Sequence, residues 1–132
     1  MFLVEREELL AHAAVVPRTL DIAGRAVDTG YVEGVATAPD RQGVGPGSLA
    51  MTKLMAEIRR CFAMGALSTE RLDFYRRLGW EPWPGPTYVR TASGLIRTPQ
   101  EDEGILVLRF GPSRHLDRQA AIACEARSGD DW

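Results

Sequence analysis

Apolar positions alternate with polar ones through the first third of the chain, recur at helical spacing through the middle, and return to short runs near the end. Phe2 to Val4 and Leu9 to Val16 are apolar runs separated by the charged turn Glu5-Arg6-Glu7-Glu8, which predicts a hairpin. Pro17 is expected to end or bend the second run. A third segment passes through Leu20 and Ile22 to the Ala23-Gly24-Arg25 turn and returns through Ala26 and Val27 into Tyr31 to Thr37, completing an antiparallel meander. Met51, Leu54, Met55, Ile58 and Phe62 then fall on one face of a helix, with Lys53, Glu57 and Arg60 opposite and Gly65 as its stop. Ala66 to Ser68 reads as a short buried strand. Ser68 or Thr69 can cap a second helix in which Leu72, Tyr75 and Leu78 recur, closed by Gly79. The prolines of Glu81-Pro82-Trp83-Pro84-Gly85 exclude regular helix there. Strands are predicted at Thr87 to Thr91 and, after the acidic turn Gln100 to Gly104, at Ile105 to Phe110; Arg118 to Trp132 is weakly patterned. Strands early, helices in the middle and strands late predict an α+β fold, a mixed, mostly antiparallel twisted sheet with packed helices.

Composition narrows this little. With 132 residues, 45% hydrophobic and 26% charged, the chain is expected to form one domain over residues 1–132 with a real core. A net charge of −2 without a basic stripe argues against a nucleic-acid partner. No apolar run approaches the roughly 20 residues of a membrane span, and no leader pattern is present, so a cytoplasmic protein without a membrane partner is expected. Cys61 and Cys124 share no metal-type spacing and read as free thiols; His12 and His115 are equally isolated, so no metal is expected. Trp80 and Trp83 read as packing residues around the proline-rich loop.

The chemistry concentrates between Tyr31 and Ser48. An alternating strand carrying Glu33 enters Arg41-Gln42-Gly43-Val44-Gly45-Pro46-Gly47, which opens directly into the first helix. Glycines let the backbone approach a ligand closely, the first free N–H groups of the helix point at it, and proline near the first helical position gives up an N–H that has no helical partner. Strand, glycine loop and helix N-terminus in that order make a phosphate cradle.

Gln42 to Gly47 after a strand resembles the acyl-CoA pyrophosphate loop of the GNAT N-acetyltransferases, and Phe74-Tyr75-Arg76-Arg77-Leu78-Gly79-Trp80 resembles the second signature of that superfamily. More narrowly, AHAAVV at 11–16, GYVEGVAT at 30–37, LGWEPWPGPT at 78–87, RTP at 97–99 and the terminal SGDDW resemble the aminoglycoside 2'-N-acetyltransferases of actinobacteria. The resemblance implies acetyl transfer from acetyl-CoA to an aminoglycoside amine by direct attack. It places pantetheine along Val35 and Thr37, and the pyrophosphate on Arg41, Gln42, Gly43, Val44, Gly45, Gly47 and Ser48. Tyr75 would be the general acid, its phenol protonated at neutral pH with an ordinary pKa of about 10. Glu33, or the terminal carboxylate of Trp132, would be the base. Substrate contacts would come from Glu33, Gly34, Asp130, Trp132 and an acidic residue of the Gln100 to Glu103 turn, taken as Asp102 with Glu101 as the alternative. Other cationic amines remain acceptors to consider, as does a coenzyme-binding domain without turnover.

Two departures stand beside the resemblance. The family places a strand and two helices ahead of the segment resembling Phe2 to Val16, and this sequence does not carry them. Without them a sheet edge would be exposed, to be covered by a second copy in a homodimer, borne by a less stable binder of coenzyme, or left as a fragment. The stretch between Leu67 and Gly79 is also shorter than in the family, and the loss is assigned to the loop before the second helix because the tyrosine signature is intact.

Overall fold

The structure, a computed structural model, describes residues 2–5, 11–37 and 46–132. Strand β1 (Phe2–Glu5) pairs antiparallel with β2 (Ala11–Ile22), and β2 with β3 (Arg25–Thr37), so the predicted meander is present. Pro17 does not end its strand. β1 lies along residues 12–15 of β2 and the late strand β9 (Ile122–Glu125) along residues 21–22 on the same ladder system. Pro17 falls between these two neighbours, at an edge where a missing N–H breaks no ladder bond.

Helix α1 (Pro46–Cys61) begins at the proline of the glycine loop and links β3 to β4 (Met64–Ser68), which runs parallel to β3. Met51, Leu54, Met55 and Ile58 are at most 4% exposed, as the helical spacing predicts. Each such side chain contributes roughly 1.5–3 kcal/mol on burial. Gly65 is not the helix stop. The helix ends at Cys61, and Gly65 lies inside β4, where a Cβ would sit 3.1–3.2 Å from Trp80, Ile58 and Leu108. The missing side chain lets α1 and Trp80 close on the strand.

Helix α2 (Leu72–Arg76) is shorter than its pattern predicts. Leu78 lies in a turn whose N–H donates to the Tyr75 carbonyl at 2.9 Å, and Gly79 takes φ +106°, a conformation that ends the helix at low cost. Thr69 does not cap α2 directly; its Oγ1 accepts the Arg71 N–H at 2.9 Å, one residue before the helix. The proline-rich run supplies a two-residue strand, β5 (Glu81–Pro82), on β8 (Ile105–Arg109), and β6 (Thr87–Thr91) makes a hairpin with β7 (Gly94–Arg97), which the sequence reading did not predict.

Among the described residues these strands form one nine-stranded sheet in the order β5-β8-β4-β3-β2-β9-β6-β7, with β1 on β2. The weakly patterned tail thus holds an interior position, as β9 pairs with both β2 and β6. Alternation sorts the core onto two faces. Val15, Val32, Leu67, Leu106 and Leu108 pack against the helices with Trp80, while Tyr31, Met64, Ala66, Ile105 and Val107 pack on the other side with Trp83 and Trp132. Both tryptophans of the proline-rich loop are core residues, at 2% and 0% exposure. This is the predicted α+β architecture.

Candidate active site

The site arises where two parallel strands part. β3 and β4 pair at Thr29 with Met64, Gly30 with Gly65 and Tyr31 with Ala66, and no further. β3 continues to Thr37 and β4 to Ser68, so the sheet opens between them. On its other side β3 changes register against β2: Ala14 faces Glu33 but His12 faces Ala36, which leaves Gly34 and Val35 opposite one residue of β2. That bulge bends β3 where it leaves β4.

Separate spaces flank the opening and share part of its lining. A cavity of about 260 Å³ is lined by Val32, Glu33, Leu67, Ser68, Thr69, Arg71 and Tyr75. Tyr75 is 5% exposed, held edge-on to Phe74 at 4.9 Å and to Trp80 at 6.4 Å between ring centroids. Burial raises its phenol pKa above the ordinary value, against the pull of the Arg71 cation, so it is protonated at neutral pH.

Beyond Glu33 lies a cavity of about 410 Å³ lined by Tyr31, Val32, Glu33, Ser68, Arg127, Ser128, Asp130 and Trp132. Val32, Glu33 and Ser68 are common to both spaces. Residues of this larger space carry polar atoms with unused capacity: Tyr31 Oη and Trp132 Nε1 are buried without a hydrogen-bond partner. Arg127 forms an ion pair with Glu33 and donates from Nε to the Asp130 carbonyl at 2.8 Å. Its guanidinium lies 5.5 Å from the centre of the Tyr31 ring. The tail is fastened here by the Arg127 N–H to Asp131 Oδ1 at 3.0 Å and by the Cys124 thiol to the Asp131 carbonyl at 3.4 Å. Burial pushes the Cys124 thiol up to about 11, so it is a neutral donor.

The acidic turn supplies a third wall. A space of about 550 Å³ adjoins Ser68 and Thr69 and is bounded by residues 100–104. Here the two acidic alternatives part. Asp102 is engaged on both oxygens, accepting from Arg97 at 2.8 and 2.6 Å and from the Thr87 hydroxyl at 3.0 Å. The guanidinium, then the threonine hydroxyl and N–H, hold its carboxyl at about 2. Glu101 instead accepts at 3.1 Å from the hydroxyl of Ser68, a residue common to all three spaces.

The structure therefore brings Glu33, Tyr75, Asp130 and Trp132 around one opening, with Glu101 at its rim and Asp102 committed to Arg97. Tyr75 faces the opening, which fits a shortening confined to the loop before α2. Val35 and Thr37 lie on the length of β3 that has no β4 partner, Thr37 still pairing with Ala11 of β2, and Gly47 and Ser48 lie in the first turn of α1. Gly34 lies in the bulge. Arg41, Gln42, Gly43, Val44 and Gly45 lie outside the described residues. Sequence reasoning missed Arg127, Tyr31 and Ser68. The signal was faint: a lone arginine in an irregular tail, and polar residues at strand positions that look solvent-facing. Among the described residues no cluster of histidine, cysteine or carboxylates could hold a metal, and no helix is long and apolar enough to cross a membrane.

Comparison with known proteins bears on this geometry. The family described as Acetyltransferase (GNAT) domain matches residues 1–83. The chain is 40% identical over 135 residues to the aminoglycoside 2'-N-acetyltransferase of Mycolicibacterium fortuitum, an alignment covering 99% of this chain and 69% of that relative. Among solved structures it is similar to a GCN5-related N-acetyltransferase from Kribbella flavida (TM-score 0.55, 31% identity, covering 61% of this chain and 20% of that one). A GNAT family N-acetyltransferase from Escherichia coli in complex with CoA shares the fold, at TM-score 0.59 and 12% identity over 91% of this chain and 63% of that one. The chain thus spans about two thirds of its curated relative and a fifth of the Kribbella protein.

Proposed function

The chain belongs to the GNAT acetyltransferase family, and on that premise we propose that it transfers an acetyl group from acetyl-CoA to an amine of an aminoglycoside, the 2'-amine by likeness to its relative. The observation that carries the reading is the parted β3–β4 pair, with Tyr75 and Glu33 on the walls of one opening.

The donor fits this opening. Past Tyr31, β3 has no neighbour on the β4 side in the pairing of the described residues, so the backbone groups that its Val35–Thr37 length turns to that side can pair with an amide-bearing arm as an added strand would. Gly47 and Ser48, in the first turn of α1, together with Arg41 to Gly45 would hold the pyrophosphate through backbone N–H groups and the helix dipole. Acetyl-CoA supplies, when bound, an activated acetyl thioester.

The remaining work falls to side chains of this chain. Glu33 takes a proton from the acceptor ammonium and leaves the amine nucleophilic. Tyr75 holds its proton at neutral pH because burial disfavours the phenolate, and donates it to the departing sulfur. Asp130 and Glu101 add negative charge at the rim. Glu101 takes the place first assigned to Asp102, whose lone pairs are already occupied by Arg97 and Thr87. Converging carboxylates suit a polycation, whose ammonium groups they attract over roughly 10 Å at moderate salt.

Thiol release from acetyl-CoA with a panel of aminoglycosides and simple polyamines tests this. Release with aminoglycosides is expected. No release with any amine, while coenzyme still raises the melting temperature, would sink the enzyme reading and leave a coenzyme-binding domain.

A further inference from the structure

We propose that Arg127 is the resident cation of the acceptor cavity, held on Glu33 in the place an acceptor ammonium takes, and that the chain selects polycations because such amines can displace it. The inference rests on the reading of Glu33 as the acidic face of the acceptor pocket. Four observations carry it. Arg127 lines the same space of about 410 Å³ as Glu33, Asp130 and Trp132, so it lies within the pocket and not behind it. It forms an ion pair with Glu33. Two other lining residues hold spare capacity beside it, since Tyr31 Oη and Trp132 Nε1 are buried without a hydrogen-bond partner. And Arg127 is tethered independently, by Nε to the Asp130 carbonyl at 2.8 Å and by its guanidinium on the Tyr31 ring, so it can leave Glu33 without releasing the tail.

The contrast with Arg18, the buried arginine on the same Tyr31 ring, supports this. Arg18 meets Glu125 twice, Nε to Oε1 at 2.6 Å and Nη2 to the carbonyl at 2.9 Å, and is 4% exposed. That pair is built to stay. The Arg127 and Glu33 side chains keep 28% and 34% of their surface open, and an ion pair at that exposure is weak enough for a multivalent competitor to replace. A single ammonium gains little by the exchange. A polycation that also reaches Asp130 and Glu101 gains several attractions for the one it breaks.

The test compares wild type, Arg127→Gln and Arg127→Lys, each with coenzyme A present, by calorimetric titration with an aminoglycoside and with a simple monoamine at low salt. Arg127→Gln keeps a side chain able to reach the Asp130 carbonyl and removes the charge. It is expected to bind the monoamine about five- to tenfold tighter and the aminoglycoside less than threefold tighter, narrowing the preference. Arg127→Lys should keep the wild-type preference. Equal or weaker monoamine binding by a glutamine variant with the wild-type melting temperature overturns the proposal. A second measurement needs no variant: the Arg127 Nε–H resonance of the 15N-labelled protein should shift on saturation with aminoglycoside, and an unmoved resonance at saturation overturns it too. If wild type binds amines in this way but acetylates none, the inference stands while the reaction proposed for the site fails.

Discussion

Two carboxylates, each facing an arginine, define two regions of this molecule with opposite uses. Around Asp102 every strong donor is answered: Arg97 grips both oxygens, the Thr87 hydroxyl adds a third bond, and that hydroxyl also meets Thr98. Around Glu33 the charge is met by Arg127 at Oε1, and the neighbouring Tyr31 Oη and Trp132 Nε1 are buried without a hydrogen-bond partner. Closed networks of this kind fix a loop; open ones leave energy to be gained by a ligand. The arginine is common to both, so the difference lies in how many partners surround the carboxylate. That count, more than the presence of an acid, sets the candidate site apart from the structural pair.

Removing each side of the comparison should give different failures. Glu33→Gln is expected to lower turnover with an aminoglycoside by about 10²–10³-fold with a melting temperature close to wild type. Thiol release and a thermal scan on the same sample check both, and a large loss of stability with normal turnover would reverse the assignment. Tyr75→Phe should cost about 10²-fold in kcat while coenzyme affinity is retained, read from single-turnover rates and a coenzyme titration. Unchanged turnover would refute the acid role.

Asp102→Asn should do the reverse, leaving kcat within about twofold and lowering stability by about 1–2 kcal/mol, a figure reduced for partial exposure. Urea unfolding measures it. The same residue predicts a pH limb. Its carboxyl titrates at about 2 in the folded chain and near 3.8 when unpaired. The unfolded chain therefore binds the proton first on acidification, so the stabilisation is complete above about pH 4 and is lost as pH falls towards 2. Wild type should show this limb in urea midpoints and Asp102→Asn should lack it. The smallest effect is ionic: raising salt from 0.05 to 0.5 M should weaken aminoglycoside binding severalfold, because the carboxylates of the open region act through solvent.

Much of this was legible in the residues. The face of α1 was written in Met51, Leu54, Met55 and Ile58, since helical periodicity over sixteen residues leaves little choice. The meander was legible because alternation and turn chemistry agreed. Gly65 misled because a glycine after a helix has two meanings, a left-handed stop or a close approach, and the neighbours that decide between them, Trp80 and Leu108, are distant in sequence. Pro17 misled for a like reason, since its tolerance depends on which strands flank β2. The site divided along the same line. Glu33 and Tyr75 lie in local motifs, so the sequence names them as candidates and the structure puts both on one cavity; Arg127 and the distinction between Glu101 and Asp102 depend on partners that sequence distance hides.

The place of β9 has a consequence for how the protein comes to exist. Within the sheet of the described residues, β6 and β7 join the rest through β9, which follows every other strand in chain order. Synthesis is vectorial, so the sheet cannot be completed until residues 122–125 have left the ribosome, and the hairpin of β6 and β7 waits with an unpaired edge until then. The segment that closes this edge also leads into Arg127, Asp130 and Trp132. The nascent chain therefore gains the strand that joins this hairpin to the sheet and the residues 127–132 of its pocket wall together, from one short stretch of sequence.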